Sequence, residues 1–231
     1  MLHRDKIRIV EKSEFIRQNA ERLLKELPAH VTLLAAAKTH TVEEVQAAYD
    51  AGIRFFGHNY VQEAQALIAD VKFKVEWHMI GHLQRNKAGS AAGLFDMIES
   101  LDSLRLANEL EKRSAEKNKI LEVLIEVNSG AEEDKTGALH QEVIPLAEAV
   151  SQLPHLRLSG LMTMGPLSGE AELAQPYFRK TRELFEQIGK LGIPNCEMRV
   201  LSMGMSGSYR VAIEEGATMV RLGTLLFGAR A

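Results

Sequence analysis

The chain has 231 residues, with 28 Lys+Arg against 31 Asp+Glu and 45% hydrophobic side chains. That apolar fraction suits a globular protein with a sizeable core, and a formal charge of −3 gives no bulk attraction to nucleic acid or to an anionic membrane. The single cysteine, Cys196, rules out an intrachain disulfide framework and a multi-cysteine zinc site, and no run approaches the ~20 apolar residues of a membrane span.

Residues 5–27 read as an amphipathic helix. Ile7, Val10, Phe15, Ile16, Leu23 and Leu27 recur at helical spacings, and Pro28 ends the run. The segment is charged and lacks the apolar centre of a signal peptide, so a cytoplasmic protein is expected. The pattern then changes. Residues 31–37 (VTLLAAA) are wholly apolar, as in a strand buried on both faces of a parallel sheet. Further strands are predicted at 53–56, 75–80, 94–100, 121–127, 156–162, 197–201 and 218–222. Helical patterns fall between them at 42–51, 59–69, 84–92, 103–117, 140–152, 170–191 and 207–216, with Gly189, Gly192 and Pro194 breaking the longest. Eight strands, each but the last followed by a helix, predict a closed (β/α)8 TIM barrel whose extra N-terminal helix completes the outer ring. An open doubly wound sheet is the other arrangement that such alternation permits. No linker or composition shift marks a second domain, so one barrel is expected over residues 1–231.

In such barrels the site lies at the C-terminal ends of the strands, and phosphates often sit in the loops after strands seven and eight. Strand seven runs into residues 201–208 (LSMGMSGS) and strand eight into Arg221-Leu222-Gly223-Thr224. Glycines let backbone approach an anion, and hydroxyls and helix-start N–H groups donate to it. Each loop alone also reads as an ordinary capped turn. The two together, on these two strands, point to a phosphate cup. Lys38 ends strand one, where an amine at the barrel mouth is partly desolvated and suited to Schiff-base chemistry. A lysine snorkelling to solvent is the other reading of that position. A lysine facing a phosphate cup is the constellation that pyridoxal phosphate needs. Arg221 could face the pyridine nitrogen; unlike a carboxylate it cannot accept that proton, which leaves the ring a poor electron sink. A structural salt bridge is the other role for it. Further polar candidates are Asn59 after strand two, His82 and Asn86 after strand three, and Asn128 and Lys135 after strand five. His58, His78 and His82 have neither the spacing nor the carboxylate of a metal triad, and no metal site is expected. Nor is there a nucleophile elbow, P-loop or dinucleotide fingerprint. Met162, Met164, Met203 and Met205 read as apolar packing around the site.

The segments AAAKT, GHNYVQEA, WHMIGHLQRNK, VNSGAEEDKTG, GLMTMGP, LSMGMSGS and VRLGTLLFGAR, in this order from about Leu33 to Arg230, resemble the pyridoxal phosphate homeostasis protein family, the YggS/PROSC group. The resemblance implies a single barrel similar to the N-terminal domain of alanine racemase, with pyridoxal 5′-phosphate at its mouth. Lys38 would carry it as a Schiff base. Ser202, Met203, Ser206, Gly223 and Thr224 would surround the phosphate, either serine bonding it. Arg221 would face the ring nitrogen, and Asn59, His82 and Met162 would complete the contacts. Lys135 matches a family lysine that holds cofactor secondarily. One departure stands out: His58 occupies the place of the family's glutamate in Gly-Glu-Asn-Tyr. The resemblance further implies a carrier that keeps free cofactor low and supplies apo-enzymes dependent on it. A chain without the racemase's second domain lacks that enzyme's second base and is expected to be a monomer. A pyridoxal-phosphate-dependent amino-acid racemase is the alternative, and a Schiff-base aldolase acting on a phosphorylated metabolite is a third reading of the same residues.

Overall fold

The computed structural model describes residues 2–132, 135–166 and 170–229. Its strands are β1 (Thr32–Ala36), β2 (Phe55–His58), β3 (Glu76–Met79), β4 (Met97–Leu101), β5 (Leu121–Glu126), β6 (Leu156–Met162), β7 (Cys196–Ser202) and β8 (Met219–Leu222). All neighbours pair in parallel, β8 pairs β1, and the sheet closes into a barrel in sequence order. The open sheet is therefore excluded. The helices are α1 (Leu2–Glu26), α2 (Val42–Asp50), α3 (Val61–Asp70), α4 (Ala88–Leu94), α5 (Leu104–Glu116), α6 (His140–Ser151), α7 (Gln175–Leu191), α8 (Tyr209–Glu214) and α9 (Thr224–Phe227).

Local chemistry sets several boundaries. Thr41 caps α2 in a capping box: its hydroxyl accepts from Glu44 N, and Glu44 Oε2 accepts from Thr41 N. Gly192 alone ends α7, in the left-handed conformation (φ 61°) that glycine adopts without penalty; Gly189 stays inside the helix. The predicted helices at 84–92 and 170–191 each begin with a 3-10 turn, at Arg85–Lys87 and Ala171–Ala174. The second strand lies two residues later than expected, because Phe55–His58 is the stretch in register with both β1 and β3. α9 was not expected at all; four residues are too few for a helical period to register.

Side chains alternate across the barrel wall with the period of two that strands impose. Outward residues such as Leu33, Ala35, Phe56, Val123, Leu161, Leu201 and Val220 join the helices in the main core. Inward residues Leu34, Ile80, Met97, Leu124, Met162, Val200 and Met219 fill the barrel as a second cluster. Gly57 leaves room for them: a Cβ there would lie 2.5 Å from Leu34 Cδ2 and 2.9 Å from Ile80 Cδ1, so both side chains would have to shift. The buried inward-facing residues His78, Glu99, Ser202 and Arg221 add a polar layer to that interior.

α1 packs against α2 and α9 and so fills the gap in the ring between last and first strands. Its buried face is Ile16, Ala20, Leu23 and Leu27. Val10 and Phe15, expected on that face, are exposed, and the side chain of Ile7 lies outside the described residues. Lys12 Nζ donates to Phe227 O and Asn19 Nδ2 to Leu226 O at 3.3 Å, tying α1 to the carbonyl end of α9.

Candidate functional site at the barrel mouth

Alternation along β1 directs Ala36 inward, Ala37 outward and Lys38 inward again. Lys38 thus reaches a cavity of about 240 Å³ at the C-terminal ends of the strands, where it is half-buried. The cavity wall also includes His40, Asn59, Met164, Ser206, Arg221, Gly223 and Thr224. It contains two cationic side chains and, among the described residues, no carboxylate. Such a lining favours an anionic ligand.

The turn after Lys38 is strained. Thr39 has φ 67°, a left-handed conformation that a β-branched residue rarely adopts. It is held there by its N–H, which donates to Glu63 Oε1 on α3, and by its hydroxyl, which donates to Lys38 O at 2.6 Å. His40 follows, stacked on Phe227 with ring centroids 4.0 Å apart, its Nδ1 2.9 Å from Glu44 Oε2. Across the cavity, Gly204 takes φ 90° and comes so close to α8 that a Cβ would lie 2.5 Å from that of Ala212. This brings the loop after β7 round to the loop after β8, where Ser206 Oγ accepts from Leu225 N at 3.4 Å. The two loops expected to form an anion cup are therefore adjacent and joined.

Arg221 is buried at the base of the cavity. Its Nη1 donates to Ser202 Oγ at 2.7 Å and its Nη2 to Thr163 O at 2.8 Å. Burial pulls the guanidinium pKa down, opposed by the charges of Glu99 and Glu126. Glu99, for which the sequence suggests no role, and His78, weighed there only as a metal ligand, support this group. A carboxylate and an imidazole on otherwise apolar strands were the available signal.

Other expected site residues are placed elsewhere. Ser202 does not line the cavity: it points inward one layer lower, donating to Glu99 Oε2 at 2.6 Å. Met203, the next residue, therefore faces outward into the core between barrel and helices. Met162 lies in the barrel interior, whereas Met164, two residues on, and Met205 line the cavity wall. His82 is exposed in a neighbouring cavity with Gln84 and Lys87, its Nδ1 3.5 Å from Asp102 Oδ2. Asn59 belongs to both walls. Asn86 is exposed on the adjoining 3-10 turn. Lys135 lines a third cavity with Glu126 and Asn128, donating to Glu132 Oε1 at 2.5 Å and Gly165 O at 3.1 Å. Glu133 and Asp134 of that motif lie outside the described residues. His58 is buried against Trp77 without a hydrogen bond to either ring nitrogen, and burial pushes its pKa down to about 4. No cluster of His, Cys, Asp or Glu among the described residues could hold a metal ion. None of the described helices is long and apolar enough to cross a membrane.

A (β/α)8 barrel with this mouth falls in the class of alanine-racemase-like barrels: residues 12–231 match the family described as "Alanine racemase, N-terminal domain". An alanine racemase of Clostridium difficile 630 superposes with a TM-score of 0.80 at 14% identity, over 95% of this chain and 57% of that one, a likeness of fold alone. Nearer in sequence is the pyridoxal phosphate homeostasis protein of Aquifex aeolicus (strain VF5), 44% identical over 86% of both chains. PipY of Synechococcus elongatus PCC7942, solved without PLP and with PLP bound, covers 92% of this chain and 100% of its own, with TM-scores of 0.88 and 0.85 at 35% and 34% identity. The chain belongs to the pyridoxal phosphate homeostasis protein family.

Proposed function

We propose that the cavity holds pyridoxal 5′-phosphate on Lys38 and that the chain buffers and supplies this cofactor without sustained turnover of its own. The observation that carries the reading is the joining of Lys38, Arg221 and the two glycine-and-hydroxyl loops around one cavity with no carboxylate among its described lining residues. These residues fit the group. Lys38 offers a partly desolvated amine at the end of β1, and Ser206, Gly207, Gly223 and Thr224 offer hydroxyls and close backbone on the side where barrels bind phosphate. Arg221 brings a buried positive charge to the cavity wall, its guanidinium anchored by Ser202 and Thr163 O. Family membership adds support, since a relative of this length has been solved with PLP bound. Bound there, the group supplies an aldehyde carbon that a lysine amine holds reversibly.

The same residues argue for a carrier. Arg221, if it faced the pyridine nitrogen, would donate to it and could not take up its proton, and so would withhold the protonated ring that fast carbanion chemistry uses. The cavity is open at the mouth, and its polar rim leaves a route for loading and release to apo-enzymes that use the cofactor. Cys196 takes no part; burial pushes its thiol up to about 11. We read the working form as a cytoplasmic monomer.

The test is a visible spectrum of the purified protein, then borohydride reduction and mass-spectrometric mapping. A yellow protein with pyridoxyl mass on Lys38, lost in Lys38→Ala, is the expected result. Incubation with L- or D-alanine should then give no racemisation. Lys38-dependent racemisation would overturn the carrier reading. A protein that stays colourless after addition of the cofactor would overturn the assignment and return the barrel to the Schiff-base aldolase reading.

A further inference from the structure

The cavity described above rests on a buried chain of hydrogen bonds that its wall residues do not explain. His78 Nδ1 on β3 lies 2.7 Å from Glu99 Oε1 on β4. Ser202 Oγ on β7 donates to Glu99 Oε2 at 2.6 Å and accepts from Arg221 Nη1 on β8 at 2.7 Å. Glu99 Oε2 is 3.9 Å from the same Nη1. His78, Glu99 and Ser202 are fully buried, and Arg221 is 3% exposed. Four side chains from four strands are thus joined across the barrel interior. Arg221 is the only one of them that lines the cavity.

A core gains little from such a network for stability alone; well-packed apolar residues serve as well. What the network does is specify one group. An Arg buried without a counter-charge is strongly disfavoured, and a flexible side chain at the base of a cavity has several rotamers to choose from. Glu99 supplies the counter-charge, and Ser202 gives the guanidinium a fixed acceptor. His78 fixes the carboxylate in turn: with Glu99 ionised, the proton of His78 sits on Nδ1, which leaves Nε2 without a hydrogen-bond partner. The carboxylate is held below its ordinary range. Burial opposes its charge, but the hydrogen bonds from His78 and Ser202 and the charge of Arg221 outweigh it. The guanidinium therefore reaches the cavity with its charge largely balanced from behind.

We propose that Glu99 is a positioning residue for the cofactor site, acting through Ser202 to orient Arg221 and to balance its charge, with His78 as the lock on the carboxylate. The inference rests on the reading that pyridoxal 5′-phosphate occupies this cavity on Lys38. With the cofactor bound, Arg221 would face it with its charge largely balanced and would spare the proton on Lys38 Nζ. The other charged or titratable groups around Arg221 are Glu126 on β5, whose charge also reaches it, and Lys38 and His40 across the cavity. Glu99 alone is bonded to its anchor.

The experiment compares wild type and Glu99→Gln, each loaded with pyridoxal 5′-phosphate. Borohydride labelling of Lys38 reports occupancy, and the pH midpoint of the visible band reports proton affinity at Lys38 Nζ. Loss of the carboxylate removes the nearer of the two counter-charges on Arg221, whose positive charge then disfavours a second positive charge in the cavity. The midpoint is expected to fall by about one pH unit, a tenfold loss of proton affinity, with Lys38 still labelled. Ser202→Ala, which unlinks the pair but keeps both charges, should move it the same way by less. Label on wild type and Glu99→Gln with the same midpoint overturns this inference alone. A wild type that takes no label at Lys38 overturns the cofactor reading beneath it. Should Glu99→Gln fail to fold, Ser202→Ala decides, and an unchanged midpoint there overturns the proposal.

Discussion

His58 shows how far one side chain can depart from what its neighbourhood in sequence suggests. It lies beside Asn59 of the cavity, yet it points outward from β2 into the core, 4.0 Å from Glu63 and against Trp77. Burial lowers its pKa from 6.5 to about 4, so between these values the unfolded chain binds a proton that the folded chain refuses. Its contribution to stability is intact above pH 6.5 and is lost as the pH falls toward 4. We expect roughly 2 kcal/mol less stability at pH 5 than at pH 7 from this residue, measured as a shift in the urea midpoint. Glu126 is pushed the opposite way, chiefly by burial, and offsets part of that slope. His58→Gln isolates the effect: the variant should show a flatter dependence between pH 5 and 7, and an unchanged slope would refute the assignment. At this scale the sequence was informative about Lys38, Arg221, Ser206, Gly223 and Thr224, because strand ends and loop glycines are visible in one dimension. It was silent on Glu99 and offered His78 only as a metal ligand; their partners lie 103 and 21 residues away.

At the scale of elements, one residue of register decides which side of the wall a side chain takes. Leu201, Ser202 and Met203 alternate out, in and out, whereas the family resemblance implies that the last two share one cup. Met162 and Met164 both face inward, but only the second stands at the rim. The strand contacts make similar demands. Gly160 on β6 has φ 150°, and a Cβ there would sit 1.8 Å from Val200 O on β7. The bulge between Leu158 and Gly160 has no room to shift, since β6 is paired on both sides. Gly160→Ala is expected to cost at least about 3 kcal/mol, read from denaturant midpoints, with backbone strain and steric overlap adding. A loss below about 1 kcal/mol would mean that the two strands separate more easily than their pairing implies.

At the scale of the whole molecule, α1 closes the ring by packing on α2 and α9. Leu23 is fully buried in that seam, so Leu23→Ala should destabilise the protein by about 2–4 kcal/mol. If the barrel and α1 form one cooperative unit, the unfolding of the variant followed by fluorescence of Trp77, on β3, will coincide with that followed by circular dichroism. Separate transitions would show that α1 is a module apart from the barrel.

The sequence by itself determined the alternation of eight strands with helices, for which the structure selected the closed barrel over an open sheet, and the glycine-and-hydroxyl loops after strands seven and eight. These follow from local periodicity and from the residue types that turns require, both of which are properties of neighbouring residues. It also revealed the family, because the motifs are contiguous. Only the tertiary structure decided which serine faces the cavity, that Met164 and Met205 border it while Met162 and Met203 do not, and that Arg221 stands on Glu99 and His78. Closing the sheet brings β3, β4, β7 and β8 to face one another across a narrow interior. That geometry turns residues far apart in the chain into hydrogen-bond partners, and no local pattern records it.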